Sequence, residues 1–238
     1  MNANSNKETE FIDLGLIDYQ KAWDYQTQLF QSILDIKSEN RLAAARVPQT
    51  TNNYLLFCEH PPVYTLGKSG DEKNLLINTE ALQTIGATYY HINRGGDITF
   101  HGPGQLVVYP VIDMENFFTD IHQYMRLLEE SVILTLKEVG ITSGRIPGLT
   151  GVWIDDGDEK RARKICAMGV KTSRWVSMHG LALNVNVDLT YFNHIVPCGI
   201  DNKAVTSVEK ELGSKAGMAS IKTILKEKLS LLFGMRLI

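Results

Sequence analysis

Arg94-Gly95-Gly96-Asp97-Ile98-Thr99-Phe100-His101-Gly102-Pro103-Gly104-Gln105 is the stretch from which this chain is best read. Its glycines let the backbone approach a bound group closely, and Arg94 and His101 place a polar head near each end. Two plain hairpin turns at Gly95-Gly96 and Gly102-Pro103-Gly104 account for the glycines equally well. The two heads tilt the reading toward a loop that faces a polar ligand. The spacing fits neither Gly-x-Gly-x-x-Gly after a strand nor a run ending in Gly-Lys-Ser/Thr, so phosphate cradling has little support.

Working outward, Ala87–Ile92 reads as a strand entering the loop and Leu106–Ile112 as a compact apolar strand leaving it. Upstream, Ile17–Ile36 carries apolar residues at helical spacing, and the alanine-rich Arg41–Arg46 can extend that helix. Tyr54–Cys58 and Val63–Leu66 are strand-like on either side of Pro61-Pro62. Thr79–Ile85 predicts a short helix closed by Gly86. Downstream, Ile121, Tyr124, Met125, Leu128, Val132 and Leu136 mark one face of a long helix, and Ile221, Leu225, Leu229 and Leu232 one face of a last helix. Gly151–Ile154, Lys164–Val170 and Met178–Val187 read as strands. The elements do not alternate strictly as strand and helix, and several strands are joined by short turns. That favours an α+β fold with a mixed β-sheet flanked by helices over a doubly wound parallel sheet. Residues 1–9 predict a frayed tail and 10–238 a single domain, with no internal repeat and no linker.

The composition is that of an ordinary globular chain, with 44% hydrophobic and 21% charged residues over 238 positions. A net charge of −3 argues against a general nucleic-acid binder. No apolar run approaches a membrane span, and the polar start at Met1–Glu10 lacks the apolar core of a signal peptide. The cysteines Cys58, Cys166 and Cys198 match no zinc spacing, and the histidines show none either, so no metal is expected. A reduced, cytoplasmic setting is the natural expectation.

Cys58 and Cys166 sit in apolar strands and read as small buried hydrophobes. Cys198 differs. In Pro197-Cys198-Gly199 it falls on a tight turn, where a nearby cation or base would favour its thiolate. Lys164, His101 and His179 are the candidates, and histidine is the usual partner in a cysteine hydrolase. Lys160, Arg161 and Arg163 read as a solvated hairpin. Lys164 is the last charge before Ile165-Cys166-Ala167-Met168-Gly169 and can turn inward at the mouth of that strand. His179-Gly180-Leu181-Ala182-Leu183-Asn184 reads as a strand with a polar start.

Five ordered blocks between about Tyr54 and Ile200 together resemble one family. They are Glu59–Gly67, Arg94–Gln105, Arg163–Gly169, His179–Asn184 and Pro197–Gly199. The family is that of the octanoyltransferases of lipoate biosynthesis, the lipoyl(octanoyl) transferases (LipB type). The resemblance implies the fold of the biotin/lipoate protein ligases. It implies transfer of an octanoyl group from octanoyl-acyl-carrier protein to a lysine of lipoyl domains, such as those of 2-oxoacid dehydrogenase E2 subunits and the glycine cleavage H protein. On that reading Cys198 carries the acyl group as a thioester and Lys164 activates it and moves protons. The substrate segments are Arg94, Gly95, Gly96, Asp97, Ile98, Thr99, Phe100 and His101, then Ala167, Met168 and Gly169, then Gly180, Leu181 and Ala182. No cofactor is implied.

The chemistry is consistent with that role. Thioester exchange is nearly isoenergetic and amide formation from a thioester is downhill, so neither half needs ATP. Covalent transfer in two halves predicts ping-pong kinetics. Backbone N–H groups near the glycine run or Cys198 are candidates for the oxyanion. Leu181, Ala182, Met168 and Ile98 are expected walls of an apolar slot, and Lys160, Arg161, Arg163, Lys171 and Arg174 are expected to steer acidic partners. Two departures stand out: Phe100 where the family usually has Tyr, and Asp97 where Gln is common. The rivals are an ATP-dependent lipoate or biotin protein ligase on the same fold, a cysteine hydrolase using His101 or His179, and a non-catalytic acyl-binding module. Cys198 separates the first from the transferase, because a ligase needs no nucleophilic cysteine.

Overall fold

The computed structural model describes residues 5–42, 48–158, 160–196 and 204–238. The chain opens with β1 (Glu8–Leu16) and the helix α1 (Tyr19–Leu42). Next come β2 (Tyr54–Glu59), β3 (Val63–Leu66), α2 (Thr79–Thr84), β4 (Thr88–His91), β5 (Thr99–His101) and β6 (Gln105–Val111). After α3 (Ile121–Glu138) follow β7 (Gly144–Ile146), β8 (Leu149–Ile154), β9 (Arg163–Ser173) and β10 (Val176–Asn184). The chain closes with β11 (Ala204–Val205), α4 (Val208–Leu212), α5 (Met218–Phe233) and β12 (Arg236–Leu237).

The main sheet runs β12-β1-β2-β6-β10-β9-β8-β7, with β11 paired to β9. β1 is parallel to both its neighbours and β11 is parallel to β9, while β2, β6, β10, β9, β8 and β7 pair antiparallel in turn. A small second sheet runs β4-β3-β5. The sheets are mixed and flanked by helices, as the unordered pattern of elements implied. One face of the main sheet packs on α3 and α5 through residues such as Leu106, Leu183, Val152, Leu128 and Leu225. The other face packs partly on α1 through Leu56, Val107, Met178, Ala22 and Ile33. The small sheet has its own core, built on Tyr64, Phe100 and Phe192.

Local chemistry sets the element ends. Asp120 caps α3 by accepting from the N–H groups of His122 and Gln123, and Gly234 ends α5 at φ +68°. α1 begins later than the apolar spacing predicts because the Ile17 N–H is tied to Glu59 O, and Asp18 then accepts from Lys21 N–H. It runs on through Arg41 and Leu42; the rest of the expected alanine-rich extension lies outside the described residues. β10 ends at Asn184, short of the expected Val187, because the N–H groups of Val185 and Asn186 turn to Gly104 O. The expected frayed tail over residues 1–9 is corrected from residue 5 onward. Asn6 bonds Asn116 and Thr51, Thr9 is fully buried, and β1 starts at Glu8.

A proline shapes the sheet centre. Pro110 on β6 has no N–H to donate, and the β6–β10 ladder stops at Val108 opposite Leu181. There His179 takes a left-handed backbone, φ +60°, and its N–H turns to Gln26 Oε1 on α1. Among the described residues no helix is long and apolar enough to cross a membrane.

Candidate active site

The sheet face that α1 leaves uncovered, roofed by the glycine-rich loop, bounds a cavity of about 560 Å³. That is the range of small-molecule sites. Its floor follows from side-chain size at paired positions. Ala167 faces Ala182 and Gly169 faces Gly180 across β9 and β10. Cross-strand partners share a face, so these small residues lie in two rows, of which the Gly180 position is taken by the Val108 carbonyl of the neighbouring strand. The Gly169 position is taken by the roof: a Cβ there would lie 2.6 Å from Gly95 O and 3.0 Å from Arg94 Cδ. The open part of the floor is therefore the alanine pair. Met168, Leu181 and Ile98 line the cavity as expected.

Lys164 reaches this cavity through a break in strand register. Val152 on β8 pairs with Cys166 on β9, but the next residue, Trp153, pairs with Lys164. Ile165 is the extra residue of a β-bulge. Cys166 and Ile165 are both fully buried in the core against α3 and α5. Strict alternation from Cys166 would send Lys164 into that same core. The bulge spends one residue and delivers Lys164 to the opposite face, where it lines the cavity with its ammonium 4.7 Å from the Trp153 ring centre. Its stem passes Gly151, at which a Cβ would sit 3.6 Å from Lys164 Cε and 2.5 Å from Cys166 O. The Gly151 backbone, at φ +112°, is held from behind by the buried Glu129 carboxylate, which accepts its N–H at 3.1 Å and pairs with Arg145 and Arg126.

The two polar heads of the glycine-rich run hold the roof together. The buried Arg94 guanidinium donates to the carbonyls of Gly95, Thr65 and Asp97 and to Thr65 Oγ1. From Thr65 a directed chain continues to His101 Nε2 (3.4 Å), from His101 Nδ1–H to Gln105 Oε1 (2.7 Å), and from Gln105 Nε2 to Asn184 Oδ1 (2.9 Å). Asn184 donates on to Thr206 O, just beyond β11. Asp97 is equally committed, its carboxylate accepting from Ile98 N–H and Asn74 Nδ2. Arg94, Gly95, Gly96, Asp97, Ile98, Thr99 and His101 all line the cavity.

Phe100 does not. β5 alternates, so Phe100 points away from its neighbours Thr99 and His101, into the small-sheet core. There it stacks on Tyr191 at 4.6 Å and is 1% exposed. Its expected place on the substrate wall is corrected, and phenylalanine instead of tyrosine there is a matter of core packing.

Neither histidine offered as a base is suited to that work. Burial, reinforced by His60, pushes His101 down to about 3. Burial, with Arg94 second, does the same to His179, whose Nε2 pairs with Asn93. Both are neutral rings fixed by hydrogen bonds. Cys58 and Cys166 are buried as expected, with thiols that burial pushes well up. Cys198 lies outside the described residues. After it, Ala204 and Val205 form β11 and line the cavity, with Val205 paired to Lys164.

Of the expected basic cluster, Lys160, Arg161 and Arg174 are exposed. Arg163 is bound to Asp155 and Glu211, Arg161 lies 3.3 Å from Asp155, and Lys171 sits over Phe30. No group of three or more ligating side chains among the described residues could hold a metal ion. The cavity also draws on residues that motif reading passed over: Tyr19, Tyr109, Met125, Leu149 and Trp153. They lie outside the glycine, lysine and cysteine blocks, and Trp153, followed by Ile154 and then two acidic residues, reads only as part of a strand near its end.

Comparisons agree with this architecture. The model of the lipoyl protein ligase A/B catalytic domain matches residues 18–230. The octanoyltransferase of Cytophaga hutchinsonii is 58% identical over 241 residues, covering 100% of this chain and 97% of that protein. The octanoyltransferase of Christiangramia forsetii is 61% identical over 210 residues, 88% of each. A bi-partite lipoate protein ligase from Thermoplasma acidophilum superposes with TM-score 0.71 at 16% identity, over 98% of this chain and 86% of that one. A lipoate-protein ligase A bound with ATP gives 0.64 at 14% identity, over 98% and 89%. At such identities these structures speak for the fold alone, while the sequence relatives bear out the resemblance carried by the five blocks. The chain belongs to the lipoyl protein ligase A/B catalytic family.

Proposed function

We infer that this chain is an octanoyltransferase of protein lipoylation, working through Cys198 and Lys164. The observation that carries the assignment of groups is the bulge at Ile165, which turns Lys164 into a small-floored cavity beside the strand that follows Cys198. The relatives' activity supports the reaction class.

The Cys198 thiolate attacks the octanoyl thioester of acyl-carrier protein. A tetrahedral intermediate collapses, the carrier thiol leaves, and the acyl group stays on Cys198. The amine of a lipoyl-domain lysine then attacks that thioester, forming the amide and returning the thiolate. Lys164 takes the proton from Cys198 in the first half and gives it to the departing carrier sulfur; in the second half it takes the proton that the attacking amine loses, so the thiolate returns beside an ammonium, the work of a group that is base and acid in turn. The apolar tail lies over Ala167 and Ala182, beneath the roof held by Arg94. The acceptors are lipoyl domains of 2-oxoacid dehydrogenase E2 subunits and of glycine cleavage H protein. The chain from β1 onward acts as one catalytic domain without a cofactor, in the cytoplasm.

Intact-protein and peptide mass spectrometry after mixing the enzyme with octanoyl-acyl-carrier protein, without ATP, tests this. A single octanoyl adduct on Cys198, discharged by apo lipoyl domain, is the expected result. No adduct, with lipoyl-domain modification appearing only on addition of ATP and free octanoate, would make the chain a ligase.

A further inference from the structure

We propose that Trp153 is a positioning residue for Lys164, its indole face holding the ammonium over the cavity. This rests on the role given to Lys164 above.

Three observations meet at this pair. The bulge makes Trp153 the direct cross-strand partner of Lys164, on the same face of the sheet. The ammonium lies 4.7 Å from the ring centre, inside the range where the negative face of an indole attracts a cation. The ring has no freedom to leave: Trp153 is 1% exposed, and its Nε1–H meets no hydrogen-bond partner among the described residues. Packing alone therefore fixes the ring among those residues, and the absent side chain at Gly151 keeps the lysine stem running past it.

The attraction is selective for one protonation state. A π face stabilises the ammonium and does nothing comparable for the amine. It thus adds to what keeps the charged side chain over the cavity. Other charged and titratable groups face the same cavity. Asp97 is committed to Ile98 and Asn74, and His101 and His179 are neutral. Arg94 is tied to the roof, Tyr19 and Tyr109 are held protonated by burial, and Glu129 spends its oxygens on Gly151, Arg126 and Arg145. Cys166, next along β9, is a thiol pushed up by burial.

The test is kcat and KM for octanoyl transfer by the full chain grown with tryptophans bearing increasing numbers of ring fluorines. Fluorine drains the π face while nearly preserving volume, and an Nε1–H without a partner among the described residues limits any competing hydrogen-bond effect. The chain has 3 tryptophans, so a Trp153→Phe variant labelled in the same way isolates Trp153 from Trp23 and Trp175. The expected result is a kcat that falls stepwise with fluorination in the parent, at unchanged KM, and does not fall in the labelled Trp153→Phe. Full loss of the face, in Trp153→Leu, should lower kcat by roughly 2- to 30-fold. A kcat that ignores fluorination in the parent, while Lys164→Ala is inactive, would overturn the role of Trp153 and leave that of Lys164 standing. A kcat unchanged in Lys164→Ala would overturn both.

Discussion

Ala167→Leu should convert the enzyme from an octanoyl to a short-chain transferase. Ala167 is partly buried and lines the cavity floor, so a larger side chain grows into the cavity instead of into the core. Leucine adds about three carbons, enough to evict about three methylenes of the bound tail. At about 0.8 kcal/mol for each, octanoyl transfer loses roughly 2.4 kcal/mol, close to 60-fold in kcat/KM. A butanoyl group, too short to reach the filled part of the trough, should lose little. The assay compares initial rates with acyl-carrier protein charged with butanoyl, hexanoyl or octanoyl groups, reading the lipoyl domain by intact mass. A thermal midpoint near that of the parent confirms an intact fold. Equal slowing of butanoyl and octanoyl transfer would refute the argument, because it would mean the tail does not cross the alanine pair.

Gly169→Ala should cut octanoyl transfer at least tenfold, since its Cβ would stand 2.6 Å from Gly95 O and lift the roof; rates equal to the parent would show that the roof yields freely. Glu129→Ala should destabilise the fold by about 3 kcal/mol in urea unfolding, because it leaves the Gly151 N–H and two arginines without their buried carboxylate; a loss below about 1 kcal/mol would refute that. Stability should fall as pH drops from about 6.5 toward 3. His101 and His179 are held near 3 in the fold, so the unfolded chain binds the extra protons across that window. His179→Asn, which tolerates the left-handed backbone, should reduce the slope of stability against pH there by about 1.4 kcal/mol per unit; an unchanged slope would mean His179 is not buried as a neutral ring.

Much of the site was readable from residue order because each block announces its own chemistry. The glycines, Arg94 and His101 marked a loop that does border the cavity, and Ala182 stood among the expected walls of an apolar slot. What residue order could not carry was the direction of side chains. Lys164 sits an even number of positions from Cys166, and alternation alone assigns both to one face; only the bulge at Ile165, a property of the pairing with β8, separates them. Phe100 failed in the opposite sense. Membership in the motif suggested contact with substrate, while simple alternation within β5 already placed it on the far side. Arg94 and His101 looked like heads reaching for a ligand, yet they are tied to Thr65 and Gln105 from two different strands, with Asn184 of a third strand behind Gln105. Trp153 carried no local signal, since its meaning depends on a partner on the next strand.

The bulge also bears on how this lysine should be mutated. Undoing it by sliding one strand past the other would drive an ammonium among Leu183, Val152 and Leu128, a burial so unfavourable that the charge itself guards the alignment of β8 and β9. An apolar substitute such as Lys164→Leu lifts that guard and rewards the slipped pairing with more buried surface. Such a variant changes two things at once, its chemistry and its strand alignment, whereas Lys164→Arg keeps the sentry while altering the proton donor.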